Sequence, residues 1–94
     1  MDEGINEIKA YVGKKELVIG YKNVLKNLKF NKLKKVFLAS NAPEDSVRDF
    51  EYYSKITNVP LEKLNLNNEE LGVVCKKQFL VSTVGILKEK EDSK

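Results

Sequence analysis

The sequence predicts an α/β fold: one domain over residues 1–94, with helices on both faces of a four-stranded, largely parallel or mixed sheet, an α/β/α sandwich. Three observations predict it. Apolar spacing switches repeatedly along the chain, giving the order helix, strand, helix, strand, helix, strand, short helix, strand. The run Val36-Phe37-Leu38-Ala39 is apolar without alternation, as a strand covered on both faces requires. Residues that stop or start helices, Gly13, Asn31, Pro43 and Asn58, fall between the periodic segments.

Asn6 to Val12 form the first helix, with Ile5, Ile8 and Val12 on one face and Gly13 as the left-handed residue past its end. Lys14-Lys15 leads into a strand over Glu16 to Ile19. Gly20 then opens a helix from Tyr21 to Phe30. Its apolar stripe is Tyr21, Val24, Leu25 and Leu28, at i, i+3, i+4 and i+7. Asn31 stops it, and Lys32 to Lys35 form a loop before the central strand Val36 to Ala39. Ser40-Asn41-Ala42-Pro43 breaks that strand. Pro43, Glu44 and Asp45 suit the start of a third helix, which runs to Thr57 with Val47, Phe50, Tyr53 and Ser54 inward. Leu61 to Leu66 is a weak strand at a sheet edge. Asn67 and Glu70 have capping-box spacing ahead of a short helix, Asn68 to Cys75. Phe79 to Leu87 is rich in β-branched residues and forms the last strand. The charged stretch Lys88 to Lys94 is expected to fray.

Composition narrows the function. With 41% hydrophobic and 33% charged residues the chain belongs to the soluble globular class. No apolar run spans a bilayer, and Met1-Asp2-Glu3-Gly4 lacks the apolar core of a secretory signal. The expectation is a protein inside the cell. The single cysteine, Cys75, excludes an intramolecular disulfide, and the absence of histidine removes the commonest general base and metal ligand. There is no Walker loop and no dinucleotide-type glycine triplet, and no histidine activates Ser40, Ser82 or Cys75. Glu69 and Glu70 are adjacent on a helix and point apart, and Cys75 reads as a small buried hydrophobe. The chain is expected to be no enzyme, with no catalytic residues, metal or cofactor.

Charge points to a partner. Lys14 to Lys35 hold eight lysines and one acid, a local +7, while the remainder carries −4. One basic segment on an otherwise acidic domain is the footprint of a polyanion binder. Lys22, Lys26 and Lys29 recur at i, i+4 and i+7 beside the apolar stripe. Gly20 sits where the helix begins, and a helix start presents free N–H groups to phosphate. An ordinary amphipathic helix with a solvated lysine face carries the same stripe. Asn41 follows the central strand as Gly20 follows the first, so both fall where open sheets bind ligands. Lys76-Lys77-Gln78-Phe79 adds two lysines and an aromatic ring. Spacing assigns Phe79 to the core, but an exposed ring there would stack on a splayed RNA base.

Five blocks then resemble one family in order and spacing: Gly20-Tyr21-Lys22-Asn23-Val24-Leu25-Lys26, Ala39-Ser40-Asn41-Ala42-Pro43, Glu51-Tyr52-Tyr53, Leu71-Gly72-Val73-Val74-Cys75 and Phe79-Leu80-Val81. The chain is similar from Ile5 to Leu87 to the large-subunit ribosomal protein thirty-e family, within the kink-turn RNA-binding superfamily. The resemblance implies a three-layer α/β/α sandwich with a mixed four-stranded sheet. It implies that Gly20 and Lys22 approach the kinked backbone and sheared G·A pairs, that Asn41 contacts a base, and that Lys26 sits over phosphate. It places Phe79 and Val81 on an unstacked nucleotide, with Leu71 and Gly72 in the same loop wall. Asn23 is expected to read base edges beside Gly20. Two departures stand out: Lys76 occupies a position where many relatives have glycine, and Glu44-Asp45 follows Pro43 where relatives are often basic.

The expected role is a cytoplasmic, ribosome-bound, non-catalytic protein that binds rRNA in the large subunit, with no membrane or small-molecule partner. The alternatives are a subunit of another RNA–protein particle, a guide-RNA modification complex or ribonuclease P, and an interaction module with an acidic protein partner.

Overall fold

A computed structural model describes residues 3–88 of the chain. The elements are α1 (Glu3–Tyr11), β1 (Leu17–Ile19), α2 (Tyr21–Lys29), β2 (Leu33–Leu38), α3 (Glu44–Thr57), β3 (Leu61–Lys63), α4 (Asn68–Val74) and β4 (Thr83–Leu87). Their order along the chain is the predicted one. The strands form a single sheet in the order β1-β4-β2-β3. β4 runs antiparallel to both β1 and β2, and β3 runs parallel to β2. The sheet is therefore mixed, as expected.

Two apolar layers cover it. Phe37, Ala39, Val84 and Ile86 pack with Ile8 of α1, Leu71 of α4 and Cys75 just past its end. On the other face, Leu33, Val36 and Leu38 pack with Val24 and Leu28 of α2 and Phe50 of α3. Leu33 and Val36 are three apart in sequence, yet they share a face. A register shift between Leu33 and Lys35 opposite β4 accounts for this, because an extra residue inverts the alternation. Gly85 lets α2 approach β4. A Cβ there would lie 3.0 Å from Leu33 Cδ1 and 3.1 Å from Val24 Cγ1.

α1 begins three residues earlier than the sequence reading, at Glu3, and three strand boundaries differ from it by three residues or more, each for a physical reason. β2 begins at Leu33, so Lys34 and Lys35 belong to a strand and not to a loop. Lys35 is accommodated because its ammonium meets Glu62 at 2.9 Å and Glu7 at 3.4 Å, and sits 5.0 Å from the Phe37 ring centre. β3 ends at Lys63, since the chain then turns to let the Leu66 carbonyl accept the Ser40 N–H at 2.7 Å. β4 begins at Thr83, and residues 79–82 leave the sheet. The Val81 N–H donates to the Asn68 carbonyl at 3.1 Å, which draws this segment toward α4. Of the stretch expected to fray, all but Lys88 lies outside the described residues.

The helix ends follow the sequence signals. Asn67 caps α4 through a full capping box, accepting the Glu70 N–H at 2.8 Å while Glu70 Oε1 accepts the Asn67 N–H at 2.9 Å. Gly13, Asn31 and Asn58 all take positive φ after their helices. Among the described residues no helix is long and apolar enough to cross a membrane.

Candidate nucleic-acid interface

Topology brings three loops to one edge of the sheet. β1 and β2 end there, at Gly20 and at the Asn41 loop. β4 runs antiparallel to both, so the segment entering it, residues 79–82, arrives at the same edge. Between them lies a cleft of about 400 Å³, lined by Gly20, Tyr21, Pro43, Ser46, Lys77 and residues 79–83.

Gly20 takes φ +104° and ψ +147°, close to a region that only glycine enters readily. Its own N–H is occupied, donating to the Thr83 carbonyl at 3.0 Å, which ties α2 to β4. No side chain caps α2, and its first turn carries no acidic residue. The N–H groups of Tyr21, Lys22 and Asn23 head the helix, at the positive end of its dipole. Nothing lies within 4 Å of where a Gly20 side chain would start, so a ligand backbone can approach closely.

Tyr21 forms one wall of the cleft. Its hydroxyl donates to Asp49 Oδ2 at 2.6 Å, and its ring meets Phe50 edge-on at 5.7 Å. The Asp49 hydrogen bond holds the phenol pKa above its ordinary value. Lys22 and Lys26 are exposed and form no ion pair among the described residues. Lys29, the third of the stripe, lies 5.2 Å over the Tyr53 ring. Asn23 is exposed, and its side chain leans back toward the Ile19 carbonyl at 3.4 Å.

Asn41 is exposed but not loose. Its Oδ1 accepts the Asn68 backbone N–H at 2.8 Å, and its Nδ2 donates to Asn68 Oδ1 at 3.2 Å. A backbone N–H only donates, so this contact identifies the Asn41 oxygen and fixes the amide's orientation.

The segment before β4 divides sharply. Phe79 is 60% exposed and Leu80 62%, whereas Val81 is 1% exposed. Leu71 and Gly72 are buried beneath the segment. A Cβ on Gly72 would lie 2.5 Å from the Phe79 carbonyl oxygen, so the glycine lets the segment lie against α4. The cleft thus has Gly20 on one side and Phe79 on the other, with Val81 also in its lining. Lys22 and Asn23 follow Gly20 on α2, Asn41 lies on the loop after β2, and Leu71 and Gly72 pack beneath the Phe79 segment. Lys26 lies one turn further along α2. Lys77, read from the sequence as part of a basic turn, lines the cleft, whereas Leu80 and Asn68 were missed by sequence reasoning. A strand through residue 80 would have hidden Leu80 on one face, and Asn68 showed only as the residue after a cap. Lys76 takes φ +60° without loosening the turn, because the Lys76 N–H donates to the Val73 carbonyl at 3.0 Å and the Lys77 N–H to Gly72 at 2.9 Å. Arg48 pairs with Asp45 at 2.7 Å, so the only arginine lies against the acidic start of α3.

Comparison with known proteins shows the family and the fold. The large ribosomal subunit protein eL30 of Methanothermobacter thermautotrophicus is 40% identical over 80 residues, covering 85% of this chain and 79% of that one. The eL30 protein of Sulfurisphaera tokodaii is 35% identical over 82 residues, covering 87% and 77%. The solved structure described as "Giardia lamblia 15.5kD RNA binding protein" shares the fold, with a TM-score of 0.80 at 21% identity over 90% of this chain and 71% of that one. A family model described as "Ribosomal protein L7Ae/L30e/S12e/Gadd45 family" matches residues 2–94, and the chain belongs to that family.

Proposed function

We propose that the chain is a non-catalytic protein of the large ribosomal subunit that binds a kink-turn, or a similar helix–internal loop–helix, in rRNA. Its place is then the cytoplasmic ribosome. The observation that carries this reading is the uncapped start of α2 at Gly20, facing a cleft whose opposite rim is the exposed pair Phe79 and Leu80. An RNA that kinks sharply presents crowded phosphates and an unstacked base together. The α2 N–H groups and Lys22 receive the phosphates, and Gly20 permits the close approach. Phe79 receives the splayed base, with Leu80 beside it. The fixed amide of Asn41 and the side chain of Asn23 read base edges. Lys26 and Lys77 add salt-dependent phosphate neutralisation. Leu71, Gly72 and Val81 act by supporting Phe79 from below.

Electrophoretic titration tests this reading. A kink-turn RNA is compared with the same RNA whose G·A pairs are changed. Tighter binding to the intact kink-turn is expected, and equal affinity for both would contradict it.

A further inference from the structure

Asn68 is not part of the cleft lining, yet it is bonded to two of the three loops that meet at this edge. Its backbone N–H donates to Asn41 Oδ1 at 2.8 Å, and its Oδ1 accepts from Asn41 Nδ2 at 3.2 Å. Its carbonyl accepts the Val81 N–H at 3.1 Å, two residues beyond Phe79. One residue at the start of α4 therefore holds the Asn41 amide and the segment that presents Phe79. The α4 capping box fixes that residue in turn, since Asn67 and Glu70 bond reciprocally around the adjacent position.

The donor and acceptor inventory of Asn41 sets what remains for a ligand. A side-chain amide has two N–H donors and an oxygen with two lone pairs. Asn68 occupies one donor and one lone pair, leaving one donor and one acceptor. Their directions are fixed relative to the amide plane. Without the Asn68 side chain the oxygen is still held by a backbone N–H, but the amide can turn about that single bond. The remaining donor is then no longer aimed.

We infer that Asn68 is a positioning residue for base recognition, orienting the Asn41 amide in register with the Phe79 segment. This rests on the RNA-binding reading above. Its quantity is a discrimination ratio: the Kd for the RNA with changed G·A pairs divided by the Kd for the intact kink-turn. A residue that only ties the fold together lowers affinity for both RNAs and leaves the ratio unchanged. A residue that aims Asn41 lowers the ratio.

The experiment measures this ratio for the wild-type protein, Asn68→Ala, Asn68→Asp, Asn41→Ala and the double variant, with thermal melts on each. Asn68→Ala is expected to lower the ratio about tenfold, the effect of misplacing one good base contact. Asn68→Asp keeps the acceptor for Asn41 Nδ2. It should keep most of the ratio, while its negative charge weakens binding to both RNAs alike. The double variant should be no worse than Asn41→Ala, because one effect passes through the other. An unchanged ratio in Asn68→Ala, or effects that multiply in full in the double variant, would overturn the assignment. If Asn68→Ala melts too early to assay, the Asn68→Asp ratio decides: a ratio as low as that of Asn41→Ala overturns it. A wild-type ratio near one would refute the kink-turn reading itself, and is thereby distinguished from failure at Asn68.

Discussion

Gly20 shows how one residue serves both fold and site. Its φ of +104° and ψ of +147° would strain any side chain, although the space around it is empty. Gly20→Ala should therefore destabilise by about 1–3 kcal/mol through backbone strain alone. It should also weaken kink-turn RNA further, because the new methyl stands where a phosphate backbone approaches. A melt and a titration on the same variant separate the two effects. Gly72 is the contrasting case. There the space is filled, by the Phe79 carbonyl at 2.5 Å from a built Cβ. Gly72→Ala gains helix propensity of about 1 kcal/mol but must push the Phe79 segment outward. The expected result is a loss of RNA affinity out of proportion to the change in melting temperature. Tyr21 sets a pH limit. Its pKa is raised in the folded state, first by the hydrogen bond to Asp49 and then by burial and nearby carboxylates. A raised pKa means that the contribution is fully present below the unfolded value of 10.0 and is lost as pH climbs through the folded value. Lys35, raised chiefly by its hydrogen bond to Glu62, behaves in the same sense above 10.5. Stability should therefore be insensitive to these two groups near neutral pH and fall in alkali, as a urea-midpoint series would record.

Among the elements, the turn after α4 departs most from what its residues prefer. Lys76 takes the left-handed conformation, φ +60°, that glycine adopts most easily after a helix. The paired hydrogen bonds from Lys76 and Lys77 to Val73 and Gly72 hold it there. Lys76→Gly should relieve the strain and stabilise the protein by about 1 kcal/mol, raising the melting temperature by about 4–8 °C. A lower melting temperature would mean that the lysine side chain outweighs its backbone cost. The same turn marks where sequence periodicity stopped being informative. Phe79 to Leu87 has the β-branched content of one long strand, yet β4 starts only at Thr83. The bond that diverts residues 79–82 comes from Asn68, a contact distant in sequence that carries no periodic signal. Lys34 and Lys35 read as loop because they are charged, and the two acids that accommodate Lys35 lie on α1 and β3. By contrast the capping box at Asn67, the stops at Gly13, Asn31 and Asn58, and the opening of α2 at Gly20 were legible, because each is written in neighbouring residues. In the site, Gly20 and Asn41 were legible as strand-end residues. The burial of Val81 beside the exposure of Leu80 was not, since it depends on how the segment leaves the sheet.

At the scale of the whole molecule, the basic segment proves to be divided between two tasks. Lys35 is consumed within the fold, bridging Glu7 and Glu62, and Lys34 donates to the Tyr11 hydroxyl at 2.9 Å. Lys22 and Lys26 remain exposed on α2, and Lys77 lines the cleft. Three phosphate contacts would give a salt slope of about 2–3 in log Kd against log salt, and Lys26→Ala should lower it by about 1 while weakening every RNA alike. An unchanged slope would place Lys26 away from the phosphates. The sheet order β1-β4-β2-β3 is what makes a single site of these parts, since antiparallel β4 delivers Phe79 to the edge where β1 and β2 release Gly20 and Asn41. On the function proposed here, this edge holds large-subunit rRNA. Ultraviolet crosslinking in the cells that make the protein, with sequencing of the bound RNA and mapping of the attached peptide, tests it most directly. Crosslinks should concentrate at a helix–internal loop–helix of large-subunit rRNA, on a peptide containing Phe79. Crosslinks confined to guide RNAs or to the RNA of ribonuclease P, or a peptide from elsewhere on the surface, would contradict it.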